Sequence, residues 1–361
     1  MTERKARVTS IDVARLAGVS QSAVSRAFTP GTSISVQTRR KVLAAAQALN
    51  YVPNSIARSL ITRRSNMVAM VVGDLQNPFY CQVLDAVSQA LQQRGVQVLV
   101  FRVALGSEVD AALMSVLEYQ IDGMVITSAQ VSAKMAELCA ERDIPVVMVN
   151  RYVPGLRVHS VCCNNARGAR LAAGALIEAG GSRFAAIIGT PDAALVQGRM
   201  LGFTSRVTAA GFDPAGIRTD CGHFSYQGGH DAALRLFADA PPATRPDALF
   251  CLNDIMAIGA MDALRHRLGL RVPEDVQVVG FDDIPEAARP GYRLTTIRQP
   301  LRRMVAKTMT LLRLDPDSAA ASATDSTALF IEGDLIQRDT VGQRRSPVLR
   351  GGAAGESVWH I

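Results

Sequence analysis

Near the start of the chain, apolar positions recur at helical spacing. Ile11, Val13, Ala14, Leu16 and Ala17 supply the apolar face of a first helix. Thr9 can cap it, with Asp12 three residues on as the reciprocal partner of a capping box. Gly18 ends it, because a sharp turn needs a residue that tolerates positive φ, and Val19 follows as a buried turn residue. Ser20 caps a second helix over roughly 21–28, with Ala23, Val24 and Ala27 inward and Gln21, Ser22, Ser25 and Arg26 outward. A third helix, about 36–49 and capped by Ser35, closes a small head through Val42, Leu43, Ala46 and Leu49. Ala14, Gly18 and Val24 stand where two steeply crossing helices need a small residue, a turn glycine and an apolar plug.

From Met67 onward the pattern changes. Short apolar runs at 67–72, 96–101, 123–126, 146–149, 160–163, 184–188, 248–251, 277–280 and 294–297 predict strands. Helical stretches separate them at 79–94, 107–119, 132–142, 165–179, 195–210, 226–239, 253–268 and 300–312. Continuous apolar strands between helices predict parallel sheets covered on both faces, an α/β body. The strands are too many for one lobe and the pattern restarts near Val161, so two lobes are expected. No run approaches the roughly 18–20 apolar residues of a membrane span.

Composition sharpens this picture. A chain of 361 residues with 48% hydrophobic content has material for two or three domains. The net charge of +7 is unevenly spread. Residues 1–64 carry eleven Lys and Arg against two acids, while the rest holds 28 bases against 30 acids. A small basic head on a nearly neutral body is the electrostatic footprint of nucleic-acid binding. A merely solvated basic tail would lack the regular apolar spacing of this one. The charged residues before Val8 do not form a signal peptide, so a cytoplasmic location is expected. Six scattered cysteines without a CxxC pair predict buried, reduced thiols, and five dispersed histidines predict no metal site. No cofactor is expected.

Residues 8–26, ending in Val19-Ser20-Gln21-Ser22-Ala23-Val24-Ser25-Arg26, closely resemble the DNA-binding head of the lactose-repressor (LacI/GalR) family. Leu49-Asn50-Tyr51-Val52-Pro53-Asn54-Ser55-Ile56-Ala57-Arg58-Ser59-Leu60 resembles that family's hinge. The resemblance continues through Gly73-Asp74-Leu75-Gln76-Asn77-Pro78-Phe79-Tyr80, Cys251-Leu252-Asn253-Asp254, residues 272–284 and Leu294-Thr295-Thr296-Ile297-Arg298-Gln299-Pro300, covering about residues 8–340. It implies a helix-turn-helix head on a periplasmic-binding-protein-like pair of lobes with three crossovers, here near Val161, near Pro290 and around Asp325. It also puts Gln21, Ser22 and Arg26 at the base-reading positions, and Ala57 and Leu60 at the hinge positions that enter the minor groove. Thr9, Ser20, Ser25 and Asn54 complete the expected DNA-contacting set.

The hinge has a physical reading of its own. Two helical turns over 54–60 are too short to be stable alone. Ile56 and Leu60 form an apolar pair that a twin segment from a second subunit could bury, and Leu60 could wedge a base step and bend the duplex.

Ligands of open α/β sheets bind beyond the carboxyl ends of the strands. Asp74 and Asn77, Asn150 and Arg151, Asn253 and Asp254, and Asp282 stand at such ends. Arg199 opens a segment that resembles the family's effector-binding arginine region. Arg199, Asn253 and Asp282 could together hold a vicinal diol, with Phe79 and Phe224 as apolar walls. Asn150 stands where many family members have an acid, which departs from the family's hydroxyl recognition. The bland alternatives are that Asn253 is only a helix cap and that Asp282, followed by Asp283, only caps a turn.

The expected organisation is therefore a helix-turn-helix domain at 1–53, a hinge and linker at 54–66, an effector-binding and dimerisation domain at 67–340, and a disordered tail at 341–361. The tail lacks the leucine heptads of a coiled-coil tetramer. The expected partners are an operator in double-stranded DNA, a small-molecule effector (a sugar, sugar acid or related metabolite) and a second copy of the chain, with no membrane. An enzyme is the first rival, but no GxGxxG or GxxxxGK[ST] element follows a predicted strand. A periplasmic-type solute receptor would share the body without the basic head. Whether the regulator represses or activates, and whether its effector releases or promotes DNA binding, stays open at this point.

Overall fold

The structure is a computed structural model that describes residues 8–28, 31–52, 64–103, 109–127, 132–191, 193–314 and 327–342. The chain divides into two compact units, Met1–Ser65 and Asn66–Ile361.

In the first unit, α1 (Ser10–Ala17), α2 (Gln21–Ala27) and α3 (Val36–Ala48) pack around Val13, Ala14, Val24, Ala27, Val42, Ala45 and Ala46. The capping box forms as expected: Thr9 and Asp12 bond reciprocally, with Thr9 Oγ1 donating to Asp12 Oδ2 at 2.7 Å. Gly18 sits at φ 63° and its N–H closes α1 onto Ala14 and Arg15, so a side chain there would be strained. Val19 packs against the core from the turn. The apolar face is narrower than its sequence pattern. Ile11 and Leu16 are 53% and 56% exposed, and Leu43 on α3 is also exposed. Each lies roughly 110° round its helix from the centre of the buried positions, beyond what three short helices can cover.

The second unit holds two six-stranded sheets. Lobe 1 contains β1 (Met67–Val72), α4 (Pro78–Gln92), β2 (Gln97–Arg102), α5 (Val109–Leu117), β3 (Gly123–Thr127), α6 (Ala133–Glu141), β4 (Val146–Val149) and β5 (His159–Cys163). Lobe 2 contains α7 (Asn165–Glu178), β6 (Phe184–Ile188), α8 (Ala194–Ala209), β7 (Arg218–Cys221), α9 (Tyr226–Phe237), β8 (Ala248–Cys251), α10 (Asp254–Asp262), β9 (Gln277–Asp282) and β10 (Thr295–Arg298). The chain then returns through α11 (Leu301–Leu311) and β11 (Ala328–Ile331) to lobe 1, and ends with β12 (Asp334–Ile336) in lobe 2. The strand orders are β11-β5-β4-β3-β1-β2 and β12-β10-β9-β8-β6-β7. Every pairing is parallel except β10 with β12. The central strands β3 and β9 are buried along their whole length, as parallel strands between helical layers must be.

The three passages between lobes lie at Asn164, at Gln299–Pro300 and at Glu332–Gly333. The first matches the expectation near Val161. The second falls later than Pro290, because β10 still pairs with β9 before the chain leaves. The third comes after β11 pairs with β5; the expected point, Asp325, lies outside the described residues. Gly333 suits this passage, since a Cβ there would meet the Arg298 carbonyl at 2.6 Å. The expectation of six buried thiols needs one clear correction: Cys81 on α4 is exposed, Cys221 is half-buried and the other four are buried. No helix among the described residues is long and apolar enough to cross a membrane.

Candidate functional site

On the head, the alternation along α2 separates anchor from surface. Ala23, Val24 and Ala27 are buried, whereas Gln21, Ser22, Ser25 and Arg26 are exposed. Ser20 is spent on the helix start, accepting from the Ala23 N–H and bonding the Ser22 hydroxyl at 2.9 Å. Gln21 Nε2 donates to Ser10 Oγ at 3.0 Å, tying the start of α2 to the start of α1. Arg26 gives one N–H to the Ser22 carbonyl at 3.4 Å. Thr9 stands exposed at the head of α1 while its side chain serves the capping box. One exposed face of a short helix thus presents an amide, hydroxyls and a guanidinium, the groups that read base edges in a major groove. The expected hinge residues Asn54, Ala57 and Leu60 lie outside the described residues.

In the body, Arg199 on α8 is 1% exposed. Its Nε donates to Asn165 Oδ1 at 2.8 Å, its Nη1 to the Leu252 carbonyl, and its Nη2 faces Asp282 Oδ1 at 3.5 Å. The guanidinium carbon sits over the Phe281 ring, 3.6 Å from its centroid. Asp282 also accepts from Gln299 Nε2 at 2.7 Å, and the Asn77 side chain stands close enough from the other lobe to favour its charged form. Burial raises the Asp282 carboxyl to about 6, against the pull of Arg199, Gln299 and Asn77. The backbone turns sharply here: Asp282 and Asp283 have φ of 127° and 59°. That turn is strained for residues with a side chain, and it is pinned by Arg298 and Arg338, each 2.6 Å from Asp283.

A second buried carboxylate sits beside the first. Asp254 at the start of α10 accepts from the Thr296 hydroxyl at 2.5 Å and from the Ile284 N–H at 2.9 Å. Burial first, and Asp282 second, raise it to about 7. Asn253 caps α10 through the Met256 N–H and donates to the Phe224 carbonyl at 3.4 Å. Phe224, at φ 57°, lays its ring over Gly189. Asp74 holds the turn before α4 by accepting from Gln76 and Asn77, and Asn77 caps α4. Phe79 is buried in the core.

The structure therefore brings Asn77, Arg199 and Asp282 into one network, and joins Asn253 to Phe224 beside it. Asn150 stands apart from both. With Arg151 and Tyr152 it borders a cavity of about 300 Å³ whose other walls include Asn165, Leu195 and Phe330. Sequence reasoning missed Gln299, Asn165 and Tyr80. Gln299 and Tyr80 stood inside the family-like stretches, but nothing in spacing says that Gln299 reaches Asp282. Tyr80 is buried beside Arg151, Asp282 and Arg199, and burial pushes its hydroxyl up to about 12.

With this geometry in view, the comparisons are specific. Residues 10–54 match the model for bacterial regulatory proteins of the lacI family, and residues 173–341 match a periplasmic binding protein-like domain. An HTH-type transcriptional regulator, CelR of Thermobifida fusca, is 33% identical over 94% of this chain and 99% of its own. The Lac repressor dimer bound to operator and an anti-inducer superposes with a TM-score of 0.79 at 27% identity, over 93% of this chain and 99% of that one. A CelR–cellobiose complex superposes with a TM-score of 0.66 at 31% identity, over 92% and 100%. The chain belongs to the lacI family of bacterial regulatory proteins.

Proposed function

We propose that this protein is a cytoplasmic, sequence-specific repressor of transcription that binds a pseudo-palindromic operator as a homodimer and takes a small hydroxylated effector where its two lobes meet. It performs no catalysis of its own. The observation that carries this reading is the exposed face of α2, where Gln21, Ser22, Ser25 and Arg26 stand together in the most basic part of the chain. In this reading α2 enters the major groove, and Thr9 and Ser20 meet the backbone from two helix starts. Residues 54–66 form the hinge, with Asn54, Ala57 and Leu60 at the minor groove, while residues 67–340 sense the effector. The structurally similar Lac repressor, a dimer on its operator, supports the dimer and the DNA, and the CelR–cellobiose complex supports a hydroxylated effector.

Arg199 and Asp282, expected to grip a diol directly, spend their hydrogen bonds on each other and on Asn165, Leu252 and Gln299. We assign them to setting how the lobes fit, with Asn77 as the link across. An effector that prefers one lobe arrangement shifts DNA affinity by its differential binding to the two states.

Selection from a pool of random duplexes by the full chain tests the proposal. An inverted repeat should be enriched, its half-sites about one helical turn apart. Failure to enrich any sequence would overturn it.

A further inference from the structure

Resting on the reading of the body as an effector sensor, we infer that the cavity beside Asn150 binds an anionic effector: a small hydroxylated compound carrying a carboxylate or a phosphate monoester. The cavity opens between the loop after β4 and the starts of α7 and α8, and its volume of about 300 Å³ suits a molecule of monosaccharide size.

Charge comes first. Arg151 is the only charged side chain among the described residues that border the cavity, and no carboxylate among them borders it. The other buried or half-buried arginines of this region are occupied: Arg199 by Asp282, Arg338 by Asp283 and Arg167 by Glu332. No ion pair or side-chain hydrogen bond is formed by Arg151 among the described residues, although it is half-buried. Its desolvation pulls its pKa down, as expected of a cation whose partner is missing.

Two helix starts add to this charge. The 14-residue α7 and the 16-residue α8 both begin at the cavity wall, through Asn165 and Ala194. The α8 cap position is Ala193, which offers no side-chain acceptor to the first-turn N–H groups. Free amides and the positive end of a helix dipole favour an anion there.

An independent observation points to a ligand. Asn150 is 5% exposed, borders the same cavity, and its Oδ1 has no hydrogen-bond partner. A buried acceptor left unpaired is costly, and a ligand hydroxyl would satisfy it. An acid at this position would instead repel the anion that Arg151 attracts. Tyr152 and Phe330, packed edge to face with ring centroids 5.5 Å apart, form an apolar wall, and Phe330 remains 51% exposed. An unpaired cation, amide donors, one hydroxyl acceptor and an aromatic wall together describe a sugar acid or a sugar phosphate.

The test titrates the full chain with D-gluconate, D-glucose 6-phosphate and neutral D-glucose by calorimetry, at constant ionic strength. At least one anionic probe should bind, and glucose should bind at least about tenfold more weakly. Binding of gluconate alone would assign a carboxylate, and of glucose 6-phosphate alone a phosphate monoester. Arg151→Gln should lose about tenfold or more in affinity for the anionic probe, while unfolding at the same midpoint as the parent. Binding of neither anion, equal binding of glucose, or unchanged anion binding by Arg151→Gln would overturn the inference. DNA affinity measured on the same preparations separates the two readings. A protein that binds its selected duplex but no anion leaves the regulator standing, whereas anion binding without DNA binding fails the regulator alone.

Discussion

The two units treat their polar side chains in opposite ways. On the head, α2 holds Ala23, Val24 and Ala27 inward and leaves Gln21, Ser22, Ser25 and Arg26 facing water. In the body, most of the buried polar residues turn inward and are consumed by one another, Arg199 by Asp282, Asp282 by Gln299 and Asp254 by Thr296, with Asn150 and Arg151 at the cavity as the exception. A surface built to meet a flat, charged polymer can stay open until its partner arrives. A joint between two lobes closes on itself, because a buried charge without a partner is expensive, and a group left open there marks a place for a ligand. Polar residues of similar type thus do different work, and burial decides which.

The largest expected effect follows from breaking the inward set. Arg199→Ala strands the Asp282 carboxylate and should cost the body about 3–5 kcal/mol in urea unfolding. The double variant Arg199→Met with Asp282→Asn should recover much of that loss. If the two losses instead added, the pair would not be coupled. The outward set predicts the reverse. Arg26→Ala should leave the unfolding of the body unchanged and weaken binding to the selected duplex by about 1–3 kcal/mol, the range of one good base contact. A large loss of body stability in Arg26→Ala would erase the contrast between the units.

Thr9→Ala removes the capping box of α1 and should destabilise the head by about 1 kcal/mol, read as a lowered first transition in thermal melting. The smallest effect concerns pH. Burial raises Asp254 to about 7 and Asp282 to about 6, from an ordinary 3.8. The folded body therefore holds these protons to higher pH than the unfolded chain. Their contribution to stability is greatest in acid and falls as pH rises from about 4 to about 7. Asp254→Asn keeps partners for Thr296 and Ile284, and should flatten that slope relative to the parent when urea unfolding is compared at pH 5 and pH 8. An identical slope in the variant would mean that Asp254 is ionised throughout.

The contrast also explains what the sequence made legible. The head could be read almost residue by residue, because caps, a turn glycine and a 3.6-residue period are local signals. Its misjudged positions, Ile11, Leu16 and Leu43, lie at the margins of faces whose width only packing sets. In the body, strands with continuous apolar runs were plain, and β1, β4, β6 and β8 begin and end where the pattern says. Three strands were not: β7, with the sequence Arg-Thr-Asp-Cys, and β12, with Asp-Leu-Ile, lie at sheet edges, where no buried face demands an apolar pattern, while β11, Ala-Leu-Phe-Ile, is an apolar run too short to stand out. The binding residues were harder. Arg199 and Asp282 were expected to share a ligand diol, but that they face each other, and that Gln299 and Asn165 join them, is settled only by tertiary contacts. Arg151 was noticed at a strand end, yet its lack of a partner is visible only in three dimensions.

The most direct test of the account is the ratio of affinities for two duplexes of equal length and charge: the duplex enriched by selection and a scrambled version, titrated at one stated salt concentration. The full chain should prefer the enriched duplex by about a thousandfold or more, in the range of sequence-specific regulators. Equal affinity for both would reduce the head to a basic polymer and contradict sequence-specific recognition by α2.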